Sequence, residues 1–370
     1  MTRLDIGQLE RAKSRLGEAV LDPGQWPALM EAVCAATATT GAVLLQSDIR
    51  TPDVPVTRSV TDWVKCYFEN ELHVTDARAV RGVPLHVSGR HAIRDPDVYS
   101  SETEMLKDPV AAGLRFGIKW WSAISFRSGP ALWGFALQRS VKDGMFEADD
   151  MDVLASLSDC LTDVATLSRA VARQVLLGSL NAFDMIGEPA MSMTSTGLVL
   201  EMNPGAAALF DADFRVRNKL LYMRDVNASR ALERILSECA ADSELRLRSK
   251  SRAGSVVVAR REAKRPILIK VLPVHGAASS PFLGAKFILT LRDLDSLPRS
   301  GLKLLSKVFS LTPAEAKVAS MIAAGSSPED IATELQVSRE TVRNQIKSIF
   351  AKTNTHRQSE LAALIARVRS

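Results

Sequence analysis

The sequence predicts an α+β multidomain fold, in which mixed helices and strands precede an all-α C-terminal domain. Apolar runs of strand length alternate with helical patterns as far as residue 295, whereas only helical spacing and helix caps follow. The chain of 370 residues is also longer than a domain with a single hydrophobic core usually is. We therefore expect three domains, at residues 1–175, 180–295 and 304–370.

Positive charge is concentrated near the end of the chain. From Lys303 onward ten basic residues stand against six acidic ones, an excess of four in a chain of net charge +5. A small basic domain favours a polyanionic partner. No apolar run approaches the roughly eighteen residues of a membrane helix, and no signal peptide opens the chain. These features predict a cytoplasmic protein without membrane contact.

The sequence offers no pattern typical of a catalytic or metal site. The cysteines are scattered, without CxxC spacing or a histidine cluster, and no Ser/His/Asp set or phosphate-binding glycine loop occurs. We therefore expect no catalytic residue, metal or cofactor, and we rank an enzyme below a regulator. The four cysteines are Cys34, Cys66, Cys160 and Cys239.

Helix caps predict four helices in the C-terminal domain. The run from Thr312 to Glu315 combines a capping threonine, a proline at the first helical position and a glutamate that returns to the cap. The run from Ser327 to Asp330 repeats this signal. After a short turn, Ser338 caps a third helix from Arg339 to about Thr353, and a fourth opens at Thr355.

The third helix has an apolar face and a basic face. Its apolar stripe extends from Val342 to Phe350 at helical spacing, so Arg343, Asn344 and Lys347 point away from the stripe. Arginine and asparagine make bidentate contacts with guanine and adenine edges in a major groove, and lysine suits phosphates. The alternative is a small helical bundle with an ordinary solvated face.

These residues resemble the LuxR (GerE-like) helix-turn-helix domain. The shared pattern comprises Leu311, Thr312, Glu315, Gly325, Ile331, Ala332, Val337, Ser338, Thr341 and Val342. The chain departs from the family at Gln336, where glycine is usual, and at Gln345, where histidine is frequent. If the turn needs a left-handed residue, glutamine there costs about 1 kcal/mol. The resemblance implies contacts with double-stranded DNA for Arg339, Thr341, Arg343, Asn344, Lys347 and, to the phosphate backbone, Lys352.

The first half of the chain predicts an α-β-α sensor domain. Gly41 to Gln46 has the pattern of a buried strand, and Ile118 to Phe126 with Ala131 to Gln138 form two strands around a Ser-Gly-Pro turn. A long helix begins near Glu147. This order is similar to that of GAF domains, in which a ligand binds between helices and sheet.

Two features of this half look like the autoinducer-binding domain of LuxR-type quorum-sensing receptors. Trp63, Tyr67 and Asp76 stand at offsets of four and nine residues, and Gly113 to Gly117 directly precedes an aromatic strand. In that family such an aromatic pair and aspartate bind the head and amide of an acyl-homoserine lactone. The resemblance implies a small-molecule ligand held by these three residues and by Trp120 of the strand.

The same residues allow a second interpretation. Trp63 and Tyr67 fit any helix that faces a core, and Asp76 fits the cap of the next helix. Trp120 and Trp121 also replace the smaller residues that are usual in the family, and residues 78–107 do not follow its pattern.

The middle of the chain predicts a PAS-like α+β module. The run from Thr196 to Ala207 resembles a PAS opening, in which a hairpin leads through Asn203 and Pro204 into a short helix. His275 alone is weak evidence for haem, so we expect an empty module that serves dimerisation. Strands are expected at Ala190–Met202, Ser255–Arg261, Pro266–Val274 and Lys286–Arg292, a helix at Arg230–Cys239, and a linker at Asp293–Gly301 that includes Pro298.

Apolar residues at heptad spacing connect the two regions. The predicted helix from Glu147 to Leu177 would be roughly 45 Å long, more than one small domain covers. Its second half is expected to pair with a partner chain in a homodimer. Alternatively, its first half simply packs on its own sheet. The heptad positions are Leu154, Leu157, Leu161, Val164, Ser168, Val171 and Val175.

Together these features predict a ligand-responsive bacterial transcription regulator. A small molecule of the acyl-homoserine lactone type, bound in the N-terminal domain, would change the population of dimers able to bind promoter DNA. The alternative is a ligand-independent DNA-binding regulator, whose sensor and PAS-like modules serve dimerisation or protein partners.

Overall fold

A computed structural model describes residues 4–48, 51, 53–241, 256–295 and 299–369. The helices are α1 (Ile6–Arg15), α2 (Trp26–Ala36), α3 (Thr61–Glu69), α4 (Leu72–Thr75), α5 (Ala77–Val87), α6 (Asp95–Val98), α7 (Glu102–Met105), α8 (Ala148–Ala155), α9 (Leu157–Met185), α10 (Pro204–Ala207), α11 (Val226–Ala241), α12 (Arg299–Phe309), α13 (Pro313–Ala323), α14 (Pro328–Leu335), α15 (Arg339–Thr353) and α16 (Gln358–Arg369). The strands are β1 (Gly41–Gln46), β2 (Ala92–Arg94), β3 (Ile118–Ser128), β4 (Ala131–Ser140), β5 (Ala190–Met193), β6 (Val199–Met202), β7 (Phe214–Arg217), β8 (Leu220–Met223), β9 (Val256–Ala259), β10 (Ile267–Pro273) and β11 (Phe287–Asp293). The predicted mixture of helix and sheet is confirmed.

An antiparallel sheet of order β1-β4-β3-β2 forms the centre of the N-terminal domain. Successive residues of a strand point to opposite faces, and this chain buries both faces. Leu44 and Phe135 join a core shared with α1, α2 and α9, whereas Val43 and Ala136 join a second core shared with α3. The strand predicted at Gly41 to Gln46 has the observed bounds of β1, and β3 and β4 each extend two residues further than expected.

The connector helix differs from the expected single rod. It begins after Glu147, as expected, but Ser156 separates α8 from α9, which continues to Met185. Most heptad positions are buried against this chain's own sheet and middle module, whereas Val175 is 43% exposed. The packing alternative therefore describes the first half of the helix.

The middle module contains an antiparallel sheet of order β6-β5-β11-β10-β9. The run expected as strand from Ala190 to Met202 is a hairpin, and Asn203 caps α10 through its side chain at 2.9 Å from the Ala206 amide. Ser255 lies outside the described residues. The expected helix begins earlier, at Val226, and the separate β7–β8 hairpin was not predicted.

A loop of the middle module anchors it to the N-terminal domain. Phe282 is 6% exposed, and its ring packs edge-on against Trp26, Phe126 and Trp133 at centroid distances of 5.0 to 5.9 Å. Beside it the buried hydroxyls of Ser168 and Ser280 lie 2.8 Å apart. The aromatic core of the first domain is thus completed by a residue of the second.

Helices α12 to α16 form the C-terminal domain around one apolar core. The expected four helices are present, and α12 adds a fifth whose Leu305 is fully buried. Pro298 of the predicted linker lies outside the described residues, while Arg299 to Gly301 belong to α12 rather than to a linker. Among the described residues, none of the helices has the combined length and apolar character needed to cross a bilayer.

Candidate nucleic-acid interface and ligand cavities

The exposed face of α15 is the basic face expected from the sequence. Val342 and Ile349 are completely buried, whereas Arg343, Asn344 and Lys347 are exposed. In the described part of the chain, these three polar side chains have no hydrogen bond or ion pair. A polar row without internal partners on a rigid helix can enter a major groove and contact bases there.

The turn before α15 has a left-handed residue where the family usually has glycine. Gln336 adopts φ 55° and ψ 43° at the end of α14. The Val337 amide donates to the Ala332 carbonyl at 3.0 Å, which closes the turn. Ser338 then caps α15 by accepting a hydrogen bond from the Thr341 amide at 3.0 Å. Glutamine therefore occupies a conformation that glycine adopts without steric cost.

Glu315 ties α13 to α15. Its carboxylate accepts from the Lys352 ammonium at 2.7 Å and from the Ser348 hydroxyl at 2.6 Å. The Thr312 amide donates to it at 2.7 Å, which completes the capping box of α13. These bonds, the one from Lys352 foremost, lower the pKa of Glu315 to about 2. Side chains from α13 and α15 are thereby held in one orientation.

The other residues expected to contact DNA have partners within the chain. Lys352 is in the ion pair with Glu315, and Arg339 lies 3.9 Å from Glu329 across an exposed surface. The Thr341 hydroxyl lies 2.8 Å from that of Ser338. DNA contact stays a prediction for all six residues, and the geometry gives Lys352 a structural role as well.

Two adjoining cavities lie between the N-terminal sheet and the helices α3 and α5. Their volumes are about 60 and 40 Å³, and Asp76, Arg78 and Trp121 line both. Trp63 and Tyr67 line the second cavity. Binding sites for small molecules usually measure about 300 Å³ or more, so both cavities are small for a ligand in this conformation.

Polar groups around the cavities are largely paired with one another. The Tyr67 hydroxyl donates to the Asp76 carboxylate at 2.6 Å, and the Arg78 amide donates to Asp76 at 2.8 Å, which caps α5. The Arg78 guanidinium donates to Asp95 at 2.8 Å. By contrast, Gln138 is 5% exposed, lines the second cavity, and its Oε1 has no donor among the described residues.

Trp121, and not the expected Trp120, lines both cavities. Trp120 packs at the edge of the same apolar cluster, with the Lys119 ammonium 4.4 Å from its ring centroid. Sequence reasoning could not choose between adjacent tryptophans, because an irregularity in β3 between Ile118 and Trp120 shifts the register. No pattern in the sequence marked Arg78 or Gln138 as a residue that lines a cavity.

The segment from Gly113 to Gly117 packs against Trp63 of the aromatic pair. A Cβ atom on Gly113 would lie 3.5 Å from the Trp63 ring, and the Phe116 ring lies 5.9 Å from that of Trp63. The two features that resemble autoinducer-binding domains therefore pack together. Within the described residues, no group of three or more His, Cys, Asp or Glu side chains could hold a metal ion.

Comparison with known families identifies the helix-turn-helix. Residues 309–365 match the model described as "Bacterial regulatory proteins, luxR family". The C-terminal domain belongs to the LuxR family. It is accordingly a DNA-binding domain, and the interface described above lies on its second helix-turn-helix helix, α15.

Comparisons of the whole chain yield weaker likenesses. A comparison with curated proteins found no match. The N-acylhomoserine lactone dependent LuxR family factor CepR2 of Burkholderia cenocepacia is 15% identical, with a TM-score of 0.32 over 44% of this chain and 92% of that one. The VqmA dimer of Vibrio cholerae is 13% identical, with a TM-score of 0.20 over 52% of this chain and 87% of that one.

Replacing Gln336 with glycine should stabilise the LuxR-family domain by up to about 1 kcal/mol, because glycine adopts a positive φ without steric cost. Hydrogen exchange of the α14 and α15 amides in the full chain measures this free energy. The matched control is Asn354→Gly at the left-handed end of α15, where asparagine already tolerates φ 52° and a smaller gain is expected. A loss of protection in Gln336→Gly would contradict this account.

Replacing Glu315 with glutamine should destabilise the LuxR-family domain by about 2 kcal/mol at neutral pH, because charge-assisted hydrogen bonds are lost. The folded pKa lies below the ordinary value of 4.5, so this stability is present above that pH and disappears as the pH falls towards 2. Hydrogen exchange of α13 and α15 in acid should show the two proteins converging. The exposed Glu334→Gln is the control, and an equal loss there would refute the role of Glu315.

Proposed function

We propose that this LuxR-type DNA-binding regulator reads promoter DNA through α15 and adjusts its DNA binding to a small molecule held by its N-terminal domain. The observation that carries the DNA part is the exposed row of Arg343, Asn344 and Lys347, which has no partner within the described chain. This row lies on a helix capped by Ser338 and oriented by Glu315. A preorganised polar face loses little conformational freedom on binding.

The proposal divides the polar residues of α15 between base contacts and phosphate contacts. Arg343 and Asn344 contact base edges, since their side chains can form bidentate hydrogen bonds there. Lys347 and Arg339 neutralise phosphates and make the affinity dependent on salt. A homodimer would place two α15 helices on half-sites one helical turn apart. Exposed apolar residues of α9, among them Leu167 and Val175, support pairing of two chains.

The ligand part of the proposal rests on the unsatisfied oxygen of Gln138. A buried acceptor without a donor is unfavourable, and it would be satisfied by a ligand N–H or hydroxyl. Asp76 and Tyr67 line the same cavity, so an amide could exchange for their mutual hydrogen bond. An acyl-homoserine lactone has such an amide and an apolar chain. Its binding would require α3 and α5 to separate from the sheet, because the cavities are small.

A ligand-independent regulator is the second candidate function. It is favoured by the pairing of Tyr67, Asp76, Arg78 and Asp95 with one another, which leaves this part of the domain stable without a ligand. In that case the N-terminal domain and the PAS-like module serve dimerisation or protein partners. The hairpin that leads through Asn203 into α10 supports the PAS-like interpretation.

Replacing Arg343, Asn344 and Lys347 together with alanine should weaken specific DNA binding by about a hundredfold or more, because base contacts and phosphate contacts are both lost. Duplexes selected from a random library by the full chain provide the target, and fluorescence anisotropy measures affinity against salt. The slope of affinity against salt should fall with the lost phosphate contact.

The matched control for this variant replaces Asn227, Arg230 and Arg234 with alanine. These residues have the same chemistry and are exposed on α11 of the middle module. The control should bind DNA as the unaltered chain does. Equal binding by both triple variants would place the DNA contact elsewhere.

Hexanoyl- and dodecanoyl-homoserine lactone should raise the melting temperature of the full chain, because a ligand that binds the folded state adds about 2.7 kcal/mol at a hundred times its Kd. Replacing Gln138 with leucine should remove the shift while leaving the unliganded protein at least as stable, since leucine has no unsatisfied acceptor. Ring-opened lactones are the chemical control. An absence of any shift would favour the ligand-independent regulator.

A further inference from the structure

A cleft of about 610 Å³ lies between the N-terminal domain and the middle module. Its volume falls within the usual range of ligand-binding sites, of about 300 to 1,000 Å³, unlike that of either cavity of the N-terminal domain. The turn between β3 and β4 and one face of α9 form one wall, and the hairpin of β5 and β6 with the loop before β11 forms the other. Junctions between domains are frequent ligand sites.

The two walls are held together by buried contacts. Phe282 packs in the aromatic core of the first domain, and Lys286 forms an ion pair with Asp53 at 3.2 Å, with both side chains largely buried. Burial acts to raise the pKa of Asp53, but Lys286 and hydroxyl hydrogen bonds outweigh it and lower that pKa. These buried contacts fix the two walls of the cleft relative to each other.

Four cationic side chains and three carboxylates, those of Asp48, Asp53 and Glu201, line the cleft, and two of the cations have no carboxylate partner among the described residues. Arg173 pairs with Glu201 at 2.9 Å, and Lys286 pairs with Asp53. Among the described residues, no carboxylate lies within 4.0 Å of the cationic groups of Arg169 or Lys219. Within the described part of the chain, Arg169 donates only to the Ser128 carbonyl, at 3.3 Å. These two side chains can therefore neutralise a bound anion.

Trp133 adds an unsatisfied donor to the same cleft. It is 3% exposed, and its Nε1–H has no acceptor in the described part of the chain. Its ring and that of Phe282 give the cleft an aromatic surface. A buried indole N–H normally has a hydrogen-bond partner, and an anionic oxygen would provide one.

The turn between β3 and β4 is shaped to admit Arg169. Gly129 has φ 60°, and a Cβ atom on it would lie 1.7 Å from the Arg169 Nη1. A residue with a side chain would therefore displace the guanidinium from its place against the turn. Positive φ favours glycine here, and its missing side chain leaves room for the guanidinium in this position.

We infer that this cleft binds a small organic anion, in which a carboxylate or phosphate is attached to a flat apolar body. Arg169 and Lys219 pair with the charge, the Trp133 Nε1–H donates to it, and the aromatic surface holds the apolar part. Because residues of both domains contact the ligand, it stabilises their joint. The site adjoins the first cavity beside Asp76, since Trp133 lines both, but its cationic residues line only the cleft among these three cavities.

Isothermal titration calorimetry of the full chain without DNA tests this site, in about 0.15 M salt to screen non-specific attraction. The probes are benzoate and phenyl phosphate, with benzyl alcohol as the neutral control. We expect saturable binding of at least one anion, at least about tenfold tighter than that of benzyl alcohol. Binding of benzoate alone assigns a carboxylate, and binding of phenyl phosphate alone assigns a phosphate.

Replacing Arg169 with glutamine should lower the affinity for the anion at least about tenfold, since a charge-assisted hydrogen bond is lost. Lys219→Gln should also weaken it, and this exposed residue can change without disturbing the core. The matched control is Arg234→Gln on α11, outside the cleft, which should bind as the unaltered chain does. No saturable binding of either anion, or equal affinity in the Arg169 and Arg234 variants, would overturn the inference.

Discussion

The insertion of Phe282 into the N-terminal domain is the contact on which the arrangement of the first two domains depends. The ring packs against Trp26, Phe126 and Trp133, so the aromatic core of one domain is incomplete without the other. Apolar burial on this scale is worth several kcal/mol for one aromatic residue, about 3 to 5 kcal/mol by comparison with alanine. A change in either domain is therefore transmitted to the other as a change in packing, because close-packed cores do not deform continuously.

The C-terminal domain depends on a polar contact instead. Glu315 caps α13 and binds both Lys352 and Ser348 of α15, so α15 is oriented by hydrogen bonds from within the domain. Arg343, Asn344 and Lys347 of the same helix stay exposed. Lys352 of this helix pairs with Glu315, whereas Arg343 and Lys347 have no carboxylate partner among the described residues.

Local signals in the sequence predicted much of this architecture. The caps Thr312, Ser327 and Ser338 were found where the structure has them, because a cap acts on amides only two or three residues away. Short or strained elements escaped prediction: β2 has three residues, and the β7–β8 turn places Asn218 and Lys219 at positive φ. β2 is too short to show the apolar periodicity from which strands are recognised, whereas β7 alternates Phe214 and Val216 with arginines and could have been predicted.

By itself, the sequence determined the basic face of α15, the caps of its helices and the helix-and-strand composition of the three regions, since each depends on neighbours within a few residues. Only the tertiary structure decided that Trp121 rather than Trp120 lines the cavities, that Lys352 pairs with Glu315, and that a cleft opens beside Trp133. These features join residues far apart in the chain, such as Trp133 and Phe282. Their contacts arise from packing between elements, and periodicity along the chain carries no record of which elements will meet.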